Sequence, residues 1–257
     1  MQSCPTVFAF NVLGRVAQNF AVESLMRSAT LAGLVEEGRL HLLPVVNHLP
    51  SSIEDRSGKL ARGLEALLER LGASRFNLVA CSLAGVDARH ALHSAPALNA
   101  RLRRLLTVAA PHNGSELLLA LQDGDVTEEL LEPVLTQLGV FRADFQQFTP
   151  SSMAAFNRAT NDADDARCFS ANGNTGFGVA SPALQALIGP LLARRHPHVF
   201  SDGLFLTHET RLGQRHVAEF CSEHFNFGPF STADNENVFS FYADFSALEL
   251  GGEEGAS

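Results

Sequence analysis

The most constraining stretch of this chain is residues 75–89, RFNLVACSLAGVDAR, where a short apolar run ends on a serine and a helical pattern begins at once. Residues 76–80 are too few for a helix and read as a buried strand, while helical spacing resumes at Leu83 and reaches His93. A strand that runs straight into a helix returns to its sheet by a crossover, so its neighbours lie parallel to it. The rest of the first half repeats this unit. Residues 6–10, 40–46 and 105–109 read as further strands, the second closed by His48 and Pro50. Residues 20–35 and 57–71 read as helices, the latter with Leu60, Leu64, Leu67, Leu68 and Leu71 on one face. Asn11 to Gly14 reads as a turn after the first strand. This alternation predicts an α/β chain with a mostly parallel central sheet flanked by helices.

After Gly114 the rhythm changes. Residues 116–138 are Leu-rich and acidic, with a break predicted at Gln122-Asp123-Gly124-Asp125, and Thr149-Pro150-Ser151 signals a new helix within 137–156. Residues 167–172 read as a fifth strand. The expectation is a single domain over 1–248, with a helical lid or cap inserted at about 116–148. The polar tail 249–257 is expected to be disordered. The glycines of 172–176 follow a strand but lack the GxGxxG order, so a dinucleotide site is not expected.

Composition removes several function classes. Nineteen basic against 28 acidic residues give a net charge of −9, without the clustered positive field of a nucleic-acid binder. The one basic knot, Arg101 with Arg103 and Arg104, reads as a solvated helix end. The four cysteines stand far apart with no CxxC pair, which argues against a thiolate zinc site and a disulfide scaffold and for buried, reduced thiols. No run of 18 apolar residues and no signal-peptide pattern occurs, so the chain reads as intracellular and cytoplasmic. Phenylalanine is abundant, 19 against one tyrosine and no tryptophan. Phe141, Phe145, Phe148, Phe156, Phe177, Phe225, Phe227 and Phe230 serve either a core or the wall of an acyl-binding pocket.

Ser82 carries the chemical reading. A tight strand-to-helix turn lifts a serine hydroxyl out of a sheet, provided the residues two before and two after are small, here Ala80 and Ala84. The helix that starts at Leu83 directs free N–H groups and its positive dipole end at a developing oxyanion. Alone, the pattern is more often that of a helix-capping serine. A serine hydroxyl is a poor nucleophile until an imidazole takes its proton, and the imidazole needs a carboxylate to fix its tautomer. Asp202 stands in the turn Phe200-Ser201-Asp202-Gly203-Leu204, and His224 follows 22 residues later, giving the order Ser, Asp, His. His112 is the rival base. His90, His93, His196, His198, His208 and His216 read as solvated or capping on helix faces and loops, and Asp87 as a partner of Arg89 or of a loop.

With these residues in place, the chain resembles the bacterial and fungal triacylglycerol-lipase group of α/β-hydrolases, in outline over residues 5–230. Residues 77–89 resemble its nucleophile region, LTVAAPHNGS at 106–115 a structural strand and loop beside its site, and SDGL at 201–204 the turn that carries its acid; His224 falls where the family has its histidine. The resemblance implies an α/β-hydrolase fold with a mobile lid. It implies hydrolysis of carboxylic esters of lipids through an acyl-enzyme on Ser82, without a cofactor, and lipid or acyl-ester partners reached at a lipid surface. A phospholipid or thioester substrate, or a hydrolase-like binding module without activity, stays open. Three positions depart from the family. Phe10-Asn11-Val12 replaces a his-gly strand end, which on this alignment makes Val12 and Leu83 the oxyanion donors. Ala84 replaces a glycine. Asn226 replaces the aspartate that binds calcium in some members, so no metal is expected.

Overall fold

The computed structural model describes residues 4–137, 140–160, 166–175, 180–196, 199–213, 215–228 and 236–245. Six strands, β1 (Thr6–Leu13), β2 (Leu40–Asn47), β3 (Phe76–Cys81), β4 (Leu102–Val108), β5 (Cys168–Gly173) and β6 (His216–Phe220), form one sheet in the order β2-β1-β3-β4-β5-β6. Every neighbouring pair is parallel. The crossovers carry α1 (Gly14–Leu25) and α2 (Ala29–Glu36), then α3 (Ile53–Arg70), then α4 (Leu83–Ser94) with the short α5 (Pro96–Asn99). Between β4 and β5 run α6 (Glu116–Gln122), α7 (Glu128–Gln137), α8 (Arg142–Phe145) and α9 (Pro150–Thr160); α10 (Pro182–Arg194) precedes β6 and α11 (Glu236–Asp244) follows it. The architecture expected from the sequence is present.

The central strands are apolar on both sides because helices cover both faces of the sheet. In β1, Val7 and Ala9 join α3 and α4 in one core, with Leu60, Leu64 and Leu68. Phe8, Phe10 and Val12 face the other way, with Ala21 of α1, Leu31 of α2 and Tyr242 of α11. A third core lies apart from these. It gathers Leu117 of α6, Leu131 and Val134 of α7, Phe145 and Phe148 around α8, Met153 of α9 and Leu184 and Ile188 of α10, and it includes Leu83 and Val86 of α4 and Phe225. This helical layer therefore packs on the carboxyl side of β3. It takes in the expected insertion at 116–148 and also α9 and α10, whose apolar residues the sequence left without a partner.

Several boundaries differ from expectation. β1 continues through Asn11, Val12 and Leu13, in register with β2 to Asn47, and the turn comes only at Gly14, with φ +71°. The helix expected over 20–35 is two, because Ser28 starts α2 afresh by accepting a hydrogen bond from Leu31 N at 3.3 Å. The helix expected from Ser57 starts at Ile53, where Ser52 and Asp55 form a reciprocal capping box. Arg103 and Arg104 belong to β4 rather than to a helix end, and Arg104 is buried with its Nη1 donating to Phe245 O at 3.1 Å. The expected tail 249–257, Phe177, Phe230 and His198 lie outside the described residues. Among the described residues, no helix is long and apolar enough to cross a membrane.

Candidate active site

Ser82 sits between the last residue of β3 and the first of α4. Its φ of +55° and ψ of −134° are a conformation that L residues rarely adopt, and such strain costs about 1–3 kcal/mol. The backbone holds it there: Ser82 N donates to Val108 O of β4 at 2.8 Å, and Gly85 N donates back to Ser82 O at 2.9 Å. Ala80 and Ala84 are fully buried, as the tightness of the turn requires. The position with no room at all is Gly85, where a Cβ would lie 2.5 Å from the Cβ of Ala110. The sequence around Ser82 does not mark this glycine, because its need for a bare backbone comes from Ala110 and Thr107, some 22 to 25 positions further on.

His224 opens a single 3-10 turn, His224–Phe227, after β6. Its Nε2 lies 3.0 Å from Ser82 Oγ and its Nδ1 2.7 Å from Asp202 Oδ2. The three side chains, 142 and 22 residues apart in the chain, thus form one continuous hydrogen-bonded relay. Asp202 and His224 are both buried, so the relay is shielded from competing water. The acid turn holds its carboxylate from the far side: Oδ1 accepts from Leu204 N at 2.9 Å and from Phe205 N at 2.8 Å. His224 N also donates to Asp202 O at 2.7 Å, and the Phe205 ring meets the imidazole edge-on at 5.1 Å. With Nδ1–H committed to the carboxylate, Nε2 is left as the acceptor facing the hydroxyl.

A second glycine makes this convergence fit. A Cβ on Gly173, at the end of β5, would lie 2.4 Å from Ser222 O, 2.6 Å from the Phe227 ring and 2.7 Å from Asp202 Cβ. The loops of acid and base therefore close over a bare backbone.

The other two expected site residues are Leu83 and Val12. Leu83 opens α4 directly after the nucleophile. Val12 departs from expectation, because it lies inside β1 rather than after it. Asn77 N of β3 donates to Pro5 O, and the register of β1 with β2 is unbroken to Leu13. Backbone directions alternate along a strand, so odd-numbered residues of β1 face β3 and even-numbered ones face β2. The Val12 N–H thus points away from Ser82, and the Leu13 N–H points toward the β3 side.

The rival groups have other work. Both ring nitrogens of His112 are engaged, Nδ1 with Arg89 Nη1 at 3.1 Å and Nε2 with Thr107 Oγ1 at 2.8 Å. Burial, and secondarily the Arg89 charge, push its pKa well below the ordinary histidine value. Asp87 pairs with Arg56 of α3 rather than with Arg89: Arg56 Nε donates to its two oxygens at 2.9 and 3.1 Å. Asn11 Nδ2 adds a bond to Asp87 Oδ2 at 3.2 Å, and Asn11 Oδ1 accepts from Asn47 at 3.2 Å. Burial pushes the Asp87 carboxyl up, and the bonds from Arg56 and Asn11 pull it back. His216 lies in β6, not on a helix face or loop.

No protein-family model matches the sequence, and no curated protein is significantly similar to it. Solved structures share the fold. Lipase BlEst2 of Bacillus licheniformis, in its mature form, superposes with a TM-score of 0.66 at 18% identity, over 96% of this chain and 91% of that one. Lipase 1 of Pelosinus fermentans gives 0.61 at 12% identity over 96% and 98% of the two chains. Phospholipase PlaB of Legionella pneumophila gives 0.54 at 14% identity over 82% of this chain and 46% of that one.

Proposed function

From a chain that has the α/β-hydrolase fold, we propose a serine hydrolase that cleaves carboxylic esters of lipids or related acyl esters through an acyl-enzyme on Ser82. The observation that carries this reading is the relay itself: a strained serine whose hydroxyl lies 3.0 Å from an imidazole that a buried carboxylate orients at 2.7 Å. In the first step His224 Nε2 takes the Ser82 proton as Oγ attacks the ester carbonyl, and Asp202 stabilises the imidazolium. The tetrahedral oxyanion is held by the N–H of Leu83 and, in place of Val12, by that of Leu13. His224 then returns its proton to the departing alcohol, and water releases the acid by the same relay in reverse.

The apolar layer of α6 to α10 packs against Leu83 and Phe225, beside nucleophile and base, and supports an acyl-binding role for Phe145, Phe148 and Phe205. On this reading residues 116–148 form the lid of a single domain spanning 1–248, and its opening brings the site to a lipid surface. The similarity to a phospholipase favours a second substrate reading, phospholipid acyl esters, with the same relay. An inactive binding module would have no need to retain the strain at Ser82.

A fluorophosphonate probe tests the proposal. The wild-type chain is expected to label at Ser82 and to hydrolyse short or long p-nitrophenyl acyl esters. Ser82→Ala is expected to abolish labelling and lower kcat by about 10⁴- to 10⁶-fold. Absence of labelling in a folded wild-type chain, with no hydrolysis of any ester in the panel, defeats it.

A further inference from the structure

Beside the acid turn, two histidines and two glutamates from three separate segments converge. Glu116 is the first residue of α6, His196 lies two residues past α10, and His208 and Glu209 follow the turn that carries Asp202. His208 Nε2 lies 3.1 Å from Glu116 Oε1, and His196 Nε2 lies 2.5 Å from Glu116 Oε2. The two imidazoles stand with ring centroids 5.8 Å apart. Donor atoms of Glu116, His208 and Glu209 all lie within 4.8 Å of one another. From this geometry we propose that Glu116, His208 and Glu209 form a zinc site, with His196, bonded to Glu116, as the fourth donor, and that the ion clamps the helical layer to the loop of Asp202.

The donor set and its spacing carry the proposal. Around a tetrahedral zinc with bonds of about 2.0–2.1 Å, neighbouring donor atoms stand roughly 3.3 Å apart. The cluster brackets that spacing, so small side-chain movements admit the ion. Imidazole and carboxylate together suit zinc, whereas calcium demands six to eight oxygens and magnesium keeps most of its waters. Charge points the same way. The groups that face the two glutamates are the two imidazoles, Asp202 and each other; burial pushes the Glu209 carboxyl up to about 8, and a bound divalent cation would take the place of its proton. Two imidazole–carboxylate bonds hold Glu116, and backbone N–H groups hold the buried Glu209 against it, so the donor groups are already gathered at one point. Glu209 is already fixed, its Oε1 accepting from Glu116 N at 2.5 Å and its Oε2 from Leu206 N at 2.7 Å. His208 is half exposed and gives the ion a way in.

The wide cysteine spacing had argued against a thiolate site, and this one uses none. Its consequence is mechanical. Leu206 follows Leu204 and Phe205, whose N–H groups hold Asp202, so an ion bound through Glu209 stiffens the turn behind the relay. The inference stands apart from the hydrolase reading, because binding is measured without substrate.

The full chain, stripped with a chelator and dialysed, is titrated with zinc chloride by calorimetry, and cobalt chloride is followed by its visible absorption. One zinc per chain is expected, with a tetrahedral cobalt spectrum and a melting temperature raised by about 5 °C or more at 100-fold excess over Kd. His208→Gln and the pair His196→Gln with His208→Gln are expected to lose the stoichiometric site while the stripped proteins still melt cooperatively. Ser82→Ala should bind zinc as the wild type does, even if the chain hydrolyses nothing. The proposal is overturned if the stripped wild type takes up no zinc, or if stoichiometry and cobalt spectrum survive in the double variant.

Discussion

Two strand ends lie beside Ser82, and they are built on opposite plans. The end of β3 is a strained turn, held by backbone bonds and by the absence of side chains: Ala80, Ala84 and Gly85 leave no volume to spare. The end of β1 is ordinary strand, held by side chains from other elements. Asn11 bonds to Asp87 of α4 and Asn47 of β2, Asp87 pairs with Arg56 of α3, and Lys59 Nζ reaches Asn47 Oδ1 at 3.0 Å. One end is specified by what its own residues lack. The other is specified by a buried polar network whose members lie up to 76 positions apart. The lesson is that a local pattern can announce the first kind of construction but not the second.

Removing the hub of the network makes the sharpest test of this contrast. Asp87→Ala strips the fully buried Arg56 guanidinium of its nearer carboxylate and leaves it Asp144, whose Oδ1 lies 3.8 Å from Nη1, and breaking such a pair costs about 3–5 kcal/mol. Chemical denaturation should show that loss, with weakened ester hydrolysis as the end of β1 loosens. The paired change Asp87→Leu with Arg56→Met should recover most of the stability, since apolar side chains replace a buried ion pair at little cost. Recovery of stability without recovery of kcat would show that Asn11 needs its partner to set the strand end.

The backbone donor comes next in size. Leu13→Pro removes an N–H that no ladder bond to β2 uses, at a residue whose φ of −93° lies near proline's range. Loss of one oxyanion donor lowers kcat by about 10²- to 10³-fold. Val12→Pro instead removes a β2 ladder bond and should cost mainly stability. If the two variants exchange these phenotypes, the donor is Val12 after all. At the other end, Gly85→Ala drives a methyl into Ala110, and overpacking of this kind costs about 1–3 kcal/mol, whereas Ala84→Gly should be milder. Melting temperatures of the two variants make that comparison directly.

This division also explains what could be read in advance. The sheet, its crossovers and the trio Ser82, Asp202 and His224 were legible because each leaves a local mark: an apolar run, a small-residue turn, an acid in a glycine turn. Ser82 and His224 are joined in space, but each could be picked out separately. The extension of β1 past Phe10 was not legible, because Asn11-Val12-Leu13 has turn chemistry and becomes strand only when Asn47 and Asp87 satisfy Asn11. Asp87 reads in sequence as a partner of Arg89 or of a loop, although in space Arg56 reaches it from another helix. Gly173 gave no signal either. Its need for a bare backbone comes from Ser222, Phe227 and Asp202, none of them near it in the chain.

The smallest effect sharpens the contrast between the two buried histidines. His224 bridges Ser82 and Asp202, while His112 is locked between Arg89 and Thr107 and held neutral by burial. Because its pKa in the folded state lies well below that of the unfolded chain, only the unfolded chain takes up this proton as pH falls. The stability it supports is therefore whole above pH of about 6.5 and is lost at about 1.4 kcal/mol per pH unit below it. His112→Asn removes the titration, and the fall in stability between about pH 6.5 and 5 should become shallower by one proton, even though the variant starts less stable. Denaturant midpoints collected across that range decide it. An unchanged slope would mean that His112 takes up its proton in the folded chain, and that its seat between Arg89 and Thr107 is looser than its hydrogen bonds imply.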